Sequence, residues 1–260
     1  MVRISEARVW KDADYMKVRD LCENMQGWNE KKGITIYSKT VPCNRYHMFK
    51  AVAKFPDVLP SLAYDVLQDT SYRTHWDRHM ADQSFIGIIN PNSDIGYYAL
   101  SSIPPIRARD FVMQRSWLDT GNEKLICGNS VYHQDYPPKK GYVRGIAFLS
   151  AYLIKPLSDK GCQIIHISHS DPRGTIPTWL VNRITRVLAP KLIRKLHDAC
   201  LAYTKWKEEN QPDFKPWIYP KQQACYPRID MKKCQAKEYT EEIFDESENN
   251  PEKSLTDEDE

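Results

Sequence analysis

Asp171-Pro172-Arg173-Gly174-Thr175-Ile176-Pro177-Thr178-Trp179-Leu180-Val181-Asn182 opens the stretch that decides the fold, which runs on to Tyr203. Pro177 suits the first turn of a helix, where its missing N–H costs nothing. Beyond it Val181, Ile184, Leu188, Leu192, Leu196, Ala199 and Tyr203 recur every three or four residues. That period marks one apolar face of a long helix. Pro190 lies inside the pattern and lacks the N–H that would bond residue 186, which predicts a kink. Arg183, Arg186, Lys191, Arg194 and Lys195 make the other face basic.

Upstream of this helix the chain reads as strands. Segments 84–89, 95–103, 109–118, 124–132, 143–154 and 162–170 are rich in β-branched and aromatic residues. Asn90-Pro91-Asn92, Pro104-Pro105, Gly121-Asn122, Pro137-Pro138 and Asp159-Lys160-Gly161 separate them as turns. Consecutive strands with short joins predict an antiparallel sheet. Further back, Tyr15, Val18, Leu21 and Cys22 predict a helix over 12–23. Segments 34–37 and 48–55 read as two more strands, 57–67 as a helix and 72–77 as a short helical piece. Eight strands with one long C-terminal helix make an α+β domain.

The chain has 260 residues and a net charge of +3. From Glu238 to Glu260 eleven acids face one base, a net of −10, which leaves +13 for the preceding 237 residues. A basic body suits an anionic partner, either membrane or nucleic acid; the plain alternative is a solubilising tail on an ordinary domain. Apolar residues are sparse beyond Pro220, so little core and a disordered acidic tail are expected. Thr256, followed by Asp257-Glu258-Asp259-Glu260, is a candidate phosphorylation site. The longest nearly uncharged apolar run, 145–154, is far short of a membrane span, and Met1–Glu6 shows no apolar signal core. Seven cysteines without a C-x-x-C pair argue against a zinc ribbon or a disulfide framework. A cytoplasmic protein is expected.

Three segments, in order, carry a resemblance. They are Arg73-Thr74-His75-Trp76-Asp77, Arg109-Asp110 after the Pro104-Pro105 loop, and 171–174 continuing into 177–182. Over about residues 10–210 the chain resembles the START family of lipid-binding domains, most closely its phosphatidylcholine-transfer branch. Phe214-Lys215-Pro216-Trp217 and the acidic tail are shared with one member of that branch. The resemblance implies a helix-grip fold: a curved antiparallel sheet of eight or nine strands around the C-terminal helix, enclosing a lipid tunnel. It divides the chain into a lipid-binding domain at 10–210, a proline-punctuated extension at 211–237 and the acidic tail at 238–260.

What such a carrier needs follows from its cargo. A diacyl phospholipid has roughly 30 methylenes, and exposing them costs on the order of 20–25 kcal/mol at about 0.8 kcal/mol each. Enclosing both chains asks for about 1,000 Å³ or more. A quaternary ammonium is attracted by aromatic faces. The resemblance implies that Tyr98, Phe111 and Phe148 form such a cage, in place of a Trp, Tyr, Tyr set, so ethanolamine lipids are expected as well as choline lipids. Leu100, Met113, Ile146, Ser150 and Tyr152 share sheet faces with these rings by period two and are expected to line the tunnel. Arg73 offers a fork for the phosphate, with Asp77 four residues on to orient it. Core packing of the aromatics and an ordinary surface ion pair are the alternative readings. The Pro104-Pro105 loop and the last helix are the expected gate, and residues 183–195 the expected docking face for an anionic membrane. A monomer binding one phospholipid, with neither cofactor nor metal, is expected.

Other classes fit less well. There is no G-x-S-x-G, P-loop or G-x-G-x-x-G. His75 and His79 are four apart without the Glu of a zinc-protease motif. His166, His169 and Asp171 read as core or surface polar residues rather than catalysts. Nucleic-acid binding lacks a zinc finger, an RNP-like segment or a basic zipper. A lipid sensor, or a carrier of sterol or another apolar ligand, shares the fold; three aromatics with an Arg suit a charged headgroup better than a sterol.

Overall fold

In the computed structural model, residues 2–30, 36–42, 44–104, 106–157, 160–174 and 176–239 are described. The elements, in order, are β1 (Val2–Ile4), α1 (Asp12–Glu23), β2 (Asn29–Glu30), β3 (Ile36–Lys39), β4 (Met48–Phe55), α2 (Pro60–Gln68) and α3 (Thr70–Trp76). They continue with β5 (Met80–Asn90), β6 (Ser93–Leu100), β7 (Arg109–Asp119), β8 (Lys124–Ser130), β9 (Val143–Arg144), β10 (Ile146–Pro156), β11 (Cys162–Asp171), α4 (Thr178–Glu209) and β12 (Lys237–Tyr239).

One open antiparallel sheet runs β2-β3-β4-β11-β10-β8-β7-β6-β5, with the two-residue β9 alongside β7 in parallel. Helices α2 and α3 carry the chain from β4, third from one edge of the sheet, to β5 at the other edge, and pack with α4 in one core cluster. They therefore lie across the same sheet face as α4. α1 takes the opposite face, where Tyr15, Val18 and Cys22 pack on Leu125, Leu153, Ile165 and Ile167. Asp14 fixes its first turn by accepting from the backbone N–H of Lys11 at 2.9 Å and pairing with Arg8 at 2.7 Å. Those two contacts hold its carboxyl well below the usual carboxylate range.

α4 is continuous across Pro190, and its apolar stripe has two fates. Leu196, Ala199, Cys200 and Tyr203 are buried against Phe55, Tyr64, Tyr72 and Ile164. Ile184, Leu188 and Leu192 are only half-buried and face a cavity. The C-terminal half is also locked by polar contacts. Asp69, the N-cap of α3, accepts from Ser71 N at 3.2 Å, Tyr203 Oη at 2.8 Å and Lys207 Nζ at 2.9 Å. Burial alone would raise the Asp69 pKa; the donors of Lys207, Ser71 and Tyr203 overcome it and hold the group below its ordinary value. α3 is thus tied to α4.

The turn into α4 explains two sequence motifs. Arg173 and Gly174 take left-handed φ angles of 56° and 80°, and the Arg173 N–H is received by Asp171 Oδ1 at 2.7 Å. Arg109 at the start of β7 donates to the carbonyls of Arg107, Pro172 and Arg173. Asp110 is fully buried and forms a two-bond pair with Arg144 at 2.9 and 3.0 Å. The Arg-Asp motif is a structural clasp between β7, β9 and the α4 turn.

The sequence expectation of little core past Pro220 differs from the structure as far as Tyr239. Lys215 Nζ and Trp217 Nε1 donate to the buried Asp65 of α2 at 2.7 and 2.8 Å. Ile88 on the β5 edge exchanges backbone hydrogen bonds with Pro227 and Ile229. Cys234 is fully buried with Ala7, Ile95 and Val112, and β12 pairs with β1. Scattered apolar residues find a ready-made surface here, so no periodicity of their own is needed. The acidic residues beyond Tyr239, Thr256 among them, lie outside the described residues.

Candidate functional site

A cavity of about 740 Å³ lies between the sheet, α3 and the N-terminal half of α4. That is below the roughly 1,000 Å³ expected for two acyl chains but well within the range of ligand sites. Its walls are mostly apolar, with a polar end built around α3.

Arg73 sits on that end. It shares Asp77 Oδ2 through Nε at 2.9 Å and Nη2 at 2.7 Å, and its guanidinium lies 4.5 Å over the Trp76 ring. Asp77 is 5% exposed and receives a further N–H from His79. Burial works against the Arg73 charge, but the neighbouring Tyr152 and Asp77 outweigh it and leave the pKa raised. The cation therefore stays charged inside the cavity wall. The Arg-x-x-Trp-Asp motif makes one unit: the carboxylate orients the fork and the indole supports its face.

Tyr98 on β6 and Phe111 on β7 are register partners, and their rings stack at 5.0 Å and 17°. Both line the cavity, as do Leu100, Met113, Ser150 and Tyr152. Gly145 permits the Phe111 position: a Cβ there would sit 2.4 Å from the ring. Burial raises the Tyr98 and Tyr152 hydroxyls above the ordinary tyrosine range, so both are protonated donors.

Phe148 and Ile146 depart from expectation. The β10–β11 register shifts between Ala147 and Leu149, a bulge with Phe148 as the extra residue. Period two fails across it. Ala147 takes the cavity-facing position, and Phe148 packs on His169 with ring centroids 4.8 Å apart. Ile146, buried beside the bulge, is likewise absent from the cavity wall among the described residues. The third aromatic near Arg73 is instead Tyr152, whose electrostatic partners are Arg73 and Asp77.

Sequence reasoning missed two polar groups. His166 lines the cavity, stacked on Tyr152 at 4.2 Å and 10°. The alternation Ile164, His166, Ser168, Ser170 on β11 places it there, but the same alternation also describes a solvated face. Arg115 and Asp94 form a second ion pair in the wall, at 2.9 and 2.5 Å. They lie on adjacent strands 21 residues apart, a pairing that only the β6–β7 register reveals.

Arg183, Lys191, Arg194 and Lys195 are exposed along α4, Lys191 and Lys195 also bordering the cavity, joined by Trp179 at 63% and Val187 at 53% exposure. The Arg186 side chain lies outside the described residues, as does Pro105. Pro104 stands in a turn closed by two backbone bonds between Ile103 and Ile106. Among the described residues no helix is long and apolar enough to cross a membrane.

Comparison with known proteins agrees with this architecture. The START domain family model matches residues 8–207. START domain-containing protein 10 of Mus musculus is 37% identical over 215 residues, covering 81% of this chain and 74% of that relative. The crystal structure of human STARD10 superposes with a TM-score of 0.83 at 35% identity, over 88% of this chain and 95% of that one. Phosphatidylcholine transfer protein of Rattus norvegicus is 27% identical over 68% of this chain and 83% of its own length. A sheet that grips one long helix, a cavity between them and a family match across that whole unit lead to one conclusion: the chain belongs to the START-domain family.

Proposed function

We propose that the protein is a non-catalytic carrier that binds one phospholipid, with a choline or ethanolamine headgroup, and moves it between membranes. The observation that carries the reading is the placement of a charged Arg73–Asp77 fork and the stacked Tyr98 and Phe111 on the wall of an otherwise apolar cavity. In this reading Arg73 receives the phosphate, the rings receive the ammonium, and Leu100, Met113, Ala147 and Leu188 contact the acyl chains. Both chains need more room than the cavity offers, so the half-buried N-terminal part of α4 moves outward with the loop at 103–106. Exposed Trp179 and Val187 beside Arg183 and Lys191 give that roof an apolar and basic surface suited to an anionic bilayer. The protein then works in the cytoplasm as a monomer that visits membranes transiently.

Native mass spectrometry of the recombinant chain, followed by lipid extraction, tests this. One phospholipid per chain is the expected result. A bound sterol, or steep salt-dependent RNA binding with no bound lipid, overturns it.

A further inference from the structure

A histidine facing an apolar cavity is a costly choice unless its nitrogens have work to do. His166 is the cross-strand partner of Tyr152, and the face-to-face stack fixes its ring plane. The ring nitrogens are at the edge of that plane. Among the described residues no protein group hydrogen-bonds them, and none hydrogen-bonds the Tyr98 hydroxyl on the same wall. Both groups open onto the cavity, so a molecule bound there can pair with them directly. Ser150 and Ser168, register partners one step along the same strand pair, extend the polar strip.

The strip matches one headgroup better than another. A quaternary ammonium has no N–H and is held by aromatic faces. The bulge at Phe148 removes one of the expected rings from this wall. A primary ammonium carries three N–H donors that lose water on entry and need acceptors. We propose that His166 is a specificity-determining residue that favours primary-amine phospholipids, its unprotonated ring nitrogen accepting an N–H from the ammonium while Arg73 holds the phosphate. The inference rests on the phospholipid reading above. Burial, reinforced by the nearby Arg73 charge, lowers the His166 pKa to about 4, which keeps an acceptor nitrogen available at neutral pH.

The test uses the full chain loaded from vesicles of equimolar phosphatidylethanolamine and phosphatidylcholine, read by native mass spectrometry. His166→Phe keeps the stack and removes the nitrogens; it should lower the ethanolamine-to-choline ratio about tenfold, the worth of one hydrogen bond, because the ethanolamine lipid loses more than the choline lipid. His166→Gln restores an acceptor and should recover part of the ratio. An unchanged ratio overturns the proposal. So does an equal loss of both lipids, which would assign His166 to the shared phosphate. Should His166→Phe fail to fold, wild type decides: uptake should fall stepwise from phosphatidylethanolamine through its mono- and dimethyl derivatives to phosphatidylcholine, and a flat series overturns the proposal. Wild type that takes up neither lipid defeats the carrier reading itself, a separate outcome.

Discussion

Arg73 brings a full positive charge into a largely apolar wall, where Asp77 pairs with it and the Trp76 ring supports its face. Arg73→Gln leaves Asp77 with the His79 N–H alone from this set. Charge-assisted bonds to a phosphate are worth about 1.5–3 kcal/mol. The variant should therefore lose at least about tenfold in phospholipid transfer between vesicles while its circular dichroism stays native; unchanged transfer would remove Arg73 from the site. His166 provides a pH signature at the same scale. Its pKa falls from 6.5 to about 4 on folding. Below pH 6.5 the unfolded chain takes up a proton that the folded chain refuses, so stability drops as pH falls from 6.5 toward 4 and is level above it. Urea titrations at pH 7 and pH 4.5 should show wild type losing about 2–3 kcal/mol more than His166→Phe. Equal losses would place the imidazole in a wetter setting.

At the scale of elements, β10 shows what a single extra residue does. Without the bulge, Ile146, Phe148, Ser150 and Tyr152 would share one face; with it, Ser150 and Tyr152 stay on the cavity and Ala147 replaces Phe148. The neighbouring Gly145 matters for a different reason, because the Phe111 ring occupies the space a side chain would fill. Gly145→Ala must push Phe111 out of its stack on Tyr98. It should lower lipid uptake several-fold and destabilise the fold by about 1–3 kcal/mol, the usual cost of overpacking. Phe148→Leu, off the cavity wall, should leave uptake within about twofold. Side-by-side loading assays distinguish the two, and the reverse order of effects would put Phe148 back in the cage. α4 divides in the same way: its C-terminal half is core, pinned through Asp69, and its N-terminal half is roof.

Across the whole molecule, residues 211–239 act as a strap. They reach from the end of α4 past Asp65 and along the β5 edge to pair with β1, so the last third of the sheet depends on chain that is remote in sequence. Gly87 marks the tightest crossing: a Cβ there would stand 2.8 Å from the Pro227 carbonyl oxygen. Gly87→Ala should loosen the strap at 226–229, lower the melting temperature by a few degrees and speed proteolysis between 220 and 235. Protease sensitivity equal to wild type would show that this crossing carries no strain.

Local chemistry determined much of this. The period of three and four from Val181 to Tyr203 made α4, alternation and turn residues made strands at 84–89 and 109–118, and Arg73 with Asp77 four residues on made an ion pair, because each depends on neighbours close in sequence. Four features were left to tertiary structure. Whether the α4 stripe packs or roofs a cavity depends on what faces it: Tyr64 and Phe55 meet one half, and the other half lines the cavity. Phe148 left the site through a register shift between β10 and β11, and Arg115 found Asp94 through the register of β6 and β7. His166 and Ser168 alternate as a solvated strand would, and only the curvature of the sheet beneath α4 turns that face inward. Periodicity states which residues share a face; the packing of distant elements decides whether that face meets water, protein or a lipid-sized space.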